Sequence, residues 1–600
     1  MLKYKGPPKN YAIESVYCLQ VWSDNRKITQ SKIKLVPRKK KIKQKISLEY
    51  ADYDDSGFRY IEGNCSTYFM NFNRWHYLDV FIFAGQGLFS IPPVNLIDVA
   101  HRNGVKVIGS IMAPVNQPQY TTEFALLFKK DGERFPIGDQ LIKVTNHYGF
   151  DGWFINIEEA LPSGIDSKTV IEFLIYIREG LQETNINAEI HWYDSNYVFG
   201  SSSYDNCLDN NNKSLFTDTI TNKIVSDGFF LNYNWDSNLL DTSRKTAVSL
   251  ARDSYSVYAG VYFPTSYTSM SSSIKTCFSH GISVGIWGYD TKQMSNTREQ
   301  FNTITNNFWS SLQGIAIQKE QPINIPFGSN FSIGTGDSFW IDGQKMSNES
   351  YGQLASMDLL SEHILSSKNI TISNDKVYTG GNSLCINTDI GIKIEIYNTN
   401  LNIDKNSIIV LVFDSNIDLE LYLDDQSYKP KIDQINGWYS YSFEIETKLK
   451  PVNSIGILFL NKTTVYLGQM KIIYIDHQNN NYIENLMIKD LDWIYDDQLN
   501  IFPRFLLEWD DANNRCYDIY YKRPDFGNYS YLKRVYRNST YIDNISIKGN
   551  VKTVNNKISF KVVSVDNSFT KTDINNSPSI DLEWIPPLNY SSNIPIFSSD

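Results

Sequence analysis

The chain predicts an α/β architecture, a (β/α)8 TIM-type barrel followed by two β-sandwich modules. Three observations lead there. Short apolar runs alternate with amphipathic helical stretches between about residues 45 and 325. Helical periodicity then stops after Pro326, and β-rich runs with turn residues fill the remainder. Strands apolar on both faces and separated by helices belong to a parallel sheet covered by helices. Eight such units in about 280 residues suit a barrel.

Residues 1–44 read as a lead-in. They open the basic run Arg38–Lys45, expected to be a solvated approach to the first strand. The barrel is expected over 45–325, with strands at Ile46–Tyr50, Leu78–Phe83, Val105–Met112, Gly152–Glu158, Ala188–Asp194, Gly228–Tyr233, Val257–Phe263 and Ile282–Gly288. Between them lie helical patterns at Pro92–His101, closed by Asn103-Gly104, and at Ser167–Leu181, Leu240–Ala251 and Ser271–His280. A β-sandwich (carbohydrate-binding-like) is expected over 326–480, from runs such as Ser407–Phe413 and Lys471–Ile475. The spacing of Phe505–Trp509, Tyr517–Tyr521 and Ile558–Val565 predicts a fibronectin-III or immunoglobulin-like module over 481–600.

Bulk properties narrow the function. At 600 residues with 42% hydrophobic and 20% charged content, the chain exceeds a single core. A net charge of -10 argues against a nucleic-acid partner. The start lacks the apolar core of a secretory signal, and no run of 18 or more apolar residues offers a membrane span. Six cysteines without CxxC spacing suggest neither a disulfide framework nor a zinc site. A reduced, cytoplasmic protein without metal or cofactor is expected. Aromatic content of 14% suits sugar-stacking surfaces, and equally suits all-β cores.

The segment Gly149–Ala160 carries the most chemistry. It reads as a buried strand, apolar from Trp153 to Ile157 apart from Asn156, with Glu158 at its end. Two residues apart on a strand, Asn156 and Glu158 share a face. A carboxylate on an apolar strand is costly unless it is paired or used. At the C-terminal end of the fourth strand, it occupies the place where barrel active sites lie. The plainer reading is a strand-end Glu that reaches solvent.

Further segments make the pattern specific: Trp75–Asp79, Ile91–Pro93, Ala100–Gly109, Gly149–Glu158, His191–Ser195, Asp205–Asn210 and Asp227–Trp235. In this order they resemble glycoside hydrolase family 85, the endo-β-N-acetylglucosaminidases that cut between the two core GlcNAc units of N-glycans. The resemblance covers roughly residues 50 to 290. It implies a retaining, substrate-assisted reaction in which the sugar's 2-acetamido carbonyl attacks its own anomeric carbon. Glu158 would act as general acid/base, Asn156 would orient and stabilise the acetamido group, and Tyr193 would support it. Desolvation by Trp153 and Ile157 would help Glu158 hold its proton. Trp153, Trp192, Asp194, Tyr233, Asn234, Trp235 and Trp287 would bind substrate, with Asp194 and Glu159 as rival carboxylates. N-glycans of glycoproteins, or free oligosaccharides, would be the partners.

Departures from the family's pattern fall near Ala84, Ala113 and Tyr262, where a histidine cluster, an acidic residue with Trp, and Asp are usual. Two other readings fit the same residues. One is a catalytically impaired glycan-binding protein. The other is a chitinase-type glycosidase, although Asp151–Glu158 lacks that class's full acidic run.

Overall fold

The computed structural model describes residues 12–13, 15–23, 30–51, 72–84, 87–113, 119–159, 161–195, 203–263, 267–289, 298–445, 451–475, 482–495, 501–510, 513–523, 527–543, 545 and 557–583. Eight parallel strands form the barrel: β1 (Ile46–Ala51), β2 (Val80–Ala84), β3 (Lys106–Ala113), β4 (Gly152–Ile157), β5 (Glu189–Tyr193), β6 (Gly228–Leu231), β7 (Val257–Tyr262) and β8 (Ser283–Trp287). Each pairs with the next, and β8 closes on β1 through Val284↔Ile46 and Ile286↔Leu48. All eight expected strands are present in order, several one or two residues shorter.

Among the described residues, β2 leads to α1 (Val94–Arg102), and β3 to α2 (Gln119–Leu127) and α3 (Pro136–Tyr148). β4 leads to α4 (Ser167–Thr184), β6 to α5 (Ser237–Ser249), β7 to α6 (Tyr267–Ser279) and β8 to α7 (Arg298–Ser311). After β5 the described chain makes only the short 3-10 turn Lys213–Leu215. Proline at the start of α3 and left-handed Gly149 (φ 84°) at its end set that helix's limits, and so the entry to β4.

Alternation along the strands sorts side chains into two layers. Val80, Ile82, Ile108, Phe154, Tyr193, Phe230 and Tyr258 fill the barrel interior, with Met112, Tyr233 and Trp287 packed on them. Phe230 has room because β8 carries glycine opposite it: a Cβ on Gly285 would approach its ring to 2.0 Å. The other face, including Trp153, Ile155, Ile157, Ile190 and Trp192, joins Leu141, Val144, Phe173 and Ile177 of the helices in a larger outer core.

The base of β4 is pinned by Asp151. Its carboxylate meets His101 Nε2 at 2.7 Å and accepts from the Val107 amide at 2.9 Å and Asn185 Nδ2 at 3.0 Å. Asp151 thus ties α1, β3 and the turn before β5 to the strand that carries the candidate acid.

Beyond the barrel, one antiparallel sheet runs Ile370–Ser373, Ser383–Thr388, Thr463–Tyr474, Ser407–Phe413, Trp438–Ile445, Lys431–Ile435, with Phe327–Ser329 also on Thr463–Tyr474. A second sheet orders Ile392–Leu401, Val452–Phe459, Leu419–Leu423, Gln426–Tyr428. Their inner faces share a core that already includes Ile323. Met487–Tyr495, Ile501–Glu508 and Ser539–Ile542 then form a sheet that shares a separate core with Ser530–Val535, Cys516–Lys522, Lys557–Val565 and Ser579–Glu583.

Both modules are tied to the barrel. Buried His76 meets Glu362 at 2.7 Å, and Arg102 donates to the Ala355 and Met357 carbonyls at 2.9 and 2.8 Å. Arg537 lies 3.9 Å from Asp98, both buried. The lead-in corrects its expectation at Arg38. That side chain is not solvated but donates to the carbonyls of Leu78, Trp75 and Asn103 at 2.6, 2.9 and 2.8 Å, while Lys39–Lys41 remain exposed. Carbonyls at the ends of neighbouring turns give the guanidinium the acceptors that its burial requires.

Candidate active site

Asn156 and Glu158 project to the same, inner side of the barrel at the C-terminal end of β4. Asn156 Nδ2 donates to Glu158 Oε1 at 2.7 Å. Asn156 is buried while Glu158 is half-exposed, so the pair sits where the packed interior meets the open mouth. The other Asn156 atom, Oδ1, is buried with no hydrogen-bond partner. A buried carbonyl oxygen without a donor is costly. Here it leaves a buried acceptor uncommitted beside Glu158.

Tyr204 holds the carboxylate from the opposite side, its hydroxyl donating to Glu158 Oε2 at 2.5 Å. Loss of water, and then that bond to Glu158, pushes the Tyr204 phenol up, so it remains a donor. Sequence reasoning missed Tyr204. It lies on the β5–β6 connection, where no periodicity indicates direction, and only its place just ahead of Asp205–Asn210 hinted at it.

Tyr193 lies on the inner face. Its hydroxyl donates to Asn232 Oδ1 at 2.8 Å. Burial, and then the Glu158 charge, push this phenol up as well. Its ring stands 6.5 Å from Trp287, nearly parallel at 25°, and 6.2 Å from Tyr204. Trp287 also meets Phe154 and Phe230. Tyr233, half-buried, makes an edge contact with Tyr262, which is 46% exposed at the rim. Asn234 is exposed, and its backbone amide donates to Asn206 Oδ1 at 3.1 Å. Glu158, Asn156, Tyr193, Tyr233 and Trp287 therefore converge on one cleft.

Other expected site residues do not join them. Trp153 and Trp192, 0% and 2% exposed, point outward beneath the helices, and Trp153 Nε1 donates to Thr145 Oγ1 at 2.8 Å. Neither ring can stack on a sugar. Trp153 and Ile157 also face away from Glu158, so they cannot desolvate it. Period-two alternation puts them opposite Asn156. Trp235 packs against the outer core, with its indole donating to the Gly260 carbonyl at 2.8 Å. Asp194 is buried and turned to the following loop, where it accepts from the Asn206 amide at 2.6 Å and Asn212 Nδ2 at 3.3 Å. Burial, then Asp205, pushes its carboxyl well up. Ala113 lies in register with outward Ile157, and Met112 is the residue beside Asn156. Gly85, Gln86 and Pro114, which flank the divergent positions, lie outside the described residues. Among the described residues no His, Cys, Asp and Glu group is arranged to hold a metal ion.

The model for glycosyl hydrolase family 85 matches residues 53–339, which take in seven of the eight barrel strands and the residues of this cleft. Over these residues, a little under half of the chain, the sequence is similar to glycosyl hydrolase family 85. Curated relatives of the matched region include the cytosolic endo-beta-N-acetylglucosaminidase of Gallus gallus, 28% identical over 292 residues that make up 48% of this chain and 38% of the relative. Cytosolic endo-beta-N-acetylglucosaminidase 2 of Arabidopsis thaliana is 27% identical over 48% of this chain and 40% of its own. The chain thus spans about two fifths of the length of these relatives. In fold the whole chain is similar to the glycoside hydrolase domain of Endo-D from Streptococcus pneumoniae R6, with TM-score 0.77 and 19% identity over 95% of this chain and 98% of that one. The family-85 match covers most of the barrel, and the Endo-D likeness in fold extends through the β modules.

Proposed function

We propose that the protein is an endo-β-N-acetylglucosaminidase that cleaves the GlcNAc-β1,4-GlcNAc bond of the N-glycan core with retention, by substrate assistance. The observation that carries this reading is the Asn156–Glu158 contact, with one carboxylate, one amide and a spare buried amide oxygen in a single cleft. Retaining hydrolysis ordinarily needs a second carboxylate about 5 Å away as nucleophile. Asp194, one of the two rival carboxylates, is committed to its loop. An amide is a poor nucleophile, so the attacking oxygen would be the substrate's own acetamido carbonyl.

In this mechanism the Glu158 carboxyl gives its proton to the leaving glycosidic oxygen as the acetamido oxygen bonds to the anomeric carbon. An oxazoline-type intermediate results. Asn156 Oδ1 would accept the acetamido N–H, drawing positive charge off the developing ring while Nδ2 keeps Glu158 in place. Glu158, now ionised, would then take a proton from water as that water opens the oxazoline. Tyr193 and Trp287 would form the wall on which the sugar packs, with Tyr233 beside them.

N-glycans on glycoproteins or as free oligosaccharides would be the substrates, and the cytosolic naming of the curated relatives supports a cytoplasmic location. Incubation with a high-mannose glycopeptide should yield peptide bearing a single residual GlcNAc, detected by mass. Glu158→Gln should abolish that product while leaving the fold intact, and normal turnover by this variant would refute the assignment. Asn156→Ala should lose most hydrolysis, about 100-fold or more, yet still join a sugar oxazoline to an acceptor. Absence of any joining would count against substrate assistance, and binding without cleavage by the unaltered chain would favour an impaired glycan-binding protein.

A further inference from the structure

A cavity of about 150 Å3 lies where the barrel, the first sandwich and the terminal module meet. Cations from all three converge on it. Arg102 comes from the end of α1, Lys471 from the Thr463–Tyr474 strand, and Arg515, Arg534 and Lys571 from the terminal module. Most of these groups are already engaged. Arg534 and Lys571 both pair with Asp518, at 2.7 and 2.9 Å. Arg102 serves the two carbonyls named above and lies 4.7 Å over the Tyr536 ring. Arg515 reaches the Pro326 carbonyl at 3.3 Å and stacks 4.3 Å over Phe569. Lys471 differs: among the described residues its ammonium makes no hydrogen bond or ion pair.

The nearby carboxylates do not fill that gap. Asp358 accepts the Asn330 and Ser332 amides at 2.8 and 3.2 Å, and Asp566 accepts the Ser568 and Thr570 amides at 2.8 and 2.9 Å. Asp342 accepts the Thr379 hydroxyl at 3.4 Å. Burial lowers Lys471, with Asp342 and Asp566 opposing without reversing it and Lys571 adding to the fall. Burial also lowers Arg515, and Arg102 and Arg534 push it the same way. Asp342 and Asp358 share the lining with the five cations, so positive charge is in excess around the void and an entering anion would be stabilised there.

We propose that this cavity binds a phosphate-sized tetrahedral oxyanion, held by Lys471 with Arg515, Arg102 and Lys571 around it. The bound anion fastens the barrel, the sandwich and the terminal module to one another. The volume admits an inorganic ion and excludes a nucleotide or an oligosaccharide. The site shares no residue with the catalytic cleft, so its test does not depend on the hydrolase reading.

The test is thermal unfolding of the full chain in chloride buffer, with inorganic phosphate titrated in at constant ionic strength. Ligand that binds only the folded state raises the midpoint along a saturating curve. Lys471→Met should keep the midpoint in chloride and raise the half-saturating phosphate concentration at least tenfold. Lys471→Gln, which keeps a polar end, should do the same, while Lys429→Met on the exposed surface should respond as the unaltered chain does. Calorimetric titration of the intact chain should give one phosphate per chain. A rise that never saturates, or that persists unchanged in both Lys471 variants, would mark general salt exclusion and overturn the proposal. Absence of both heat and midpoint shift would overturn it too.

Discussion

Glu158 is gripped from two directions, by Asn156 two residues earlier on its own strand and by Tyr204 from a distant loop. The first grip was legible in the sequence, because period-two alternation fixes which side a strand residue faces. The second was not, since a loop has no period and Tyr204 reaches Glu158 only through tertiary placement. The same alternation corrects two tryptophans. Trp153 shares parity with Ile155 and Ile157, and Trp192 with Ile190, so aromatic character alone misplaced them in the cleft. Removing the Tyr204 hydroxyl deprives a carboxylate of a donor worth about 1.5–3 kcal/mol in a buried setting, less at a half-open mouth. Tyr204→Phe should therefore lower kcat roughly tenfold with little change in KM and no change in melting temperature. A KM effect alone would show that the ring, not the hydroxyl, is what matters.

At the scale of elements, β4 does two jobs with its two faces. The inner face presents Glu158 and Asn156; the outer face anchors the strand to α3 through Trp153. The strands themselves were readable because parallel barrel strands are apolar throughout, and their limits moved by a few residues because hydrogen-bonded pairing ends before the apolar run does. Helices α2, α3 and α7 went unread, although Pro136 and Gly149 bracket α3 with ordinary start and stop signals. Trp153→Ala should destabilise the barrel by about 3–5 kcal/mol, the usual loss for a large aromatic removed from a core. Folded protein should retain its turnover number, since no Trp153 atom faces the cleft. Measuring the denaturant midpoint and kcat on the same sample separates the two effects.

The whole molecule is held by polar contacts that no local pattern announces, because each joins residues hundreds of positions apart. His76 and Glu362 are the clearest case. Burial pushes His76 down, which keeps it neutral and able to donate to Glu362. Burial would raise Glu362, but the hydrogen bonds from His76, Ser366 and Gln313 outweigh it and hold the carboxyl down at about 2. An acid depressed in the folded state stabilises above its ordinary value near 4.5 and loses that contribution as pH falls from there toward about 2. A histidine lowered by burial weakens the folded state in the same direction below its ordinary value near 6.5. Acid should therefore loosen the seam between barrel and sandwich, and Glu362→Gln should flatten the fall in stability between pH 4.5 and 2. An unchanged pH profile in that variant would assign the acid sensitivity elsewhere.

The pairing of buried Asp98 with Arg537 has a consequence for ancestry and for engineering. Lifting the terminal module away would strand a carboxylate inside the barrel wall and take Tyr536 from over Arg102. A barrel spliced to its neighbours in this manner cannot be traded between proteins as a ready-made cassette. Any lineage that shed the module would first have had to rewrite α1.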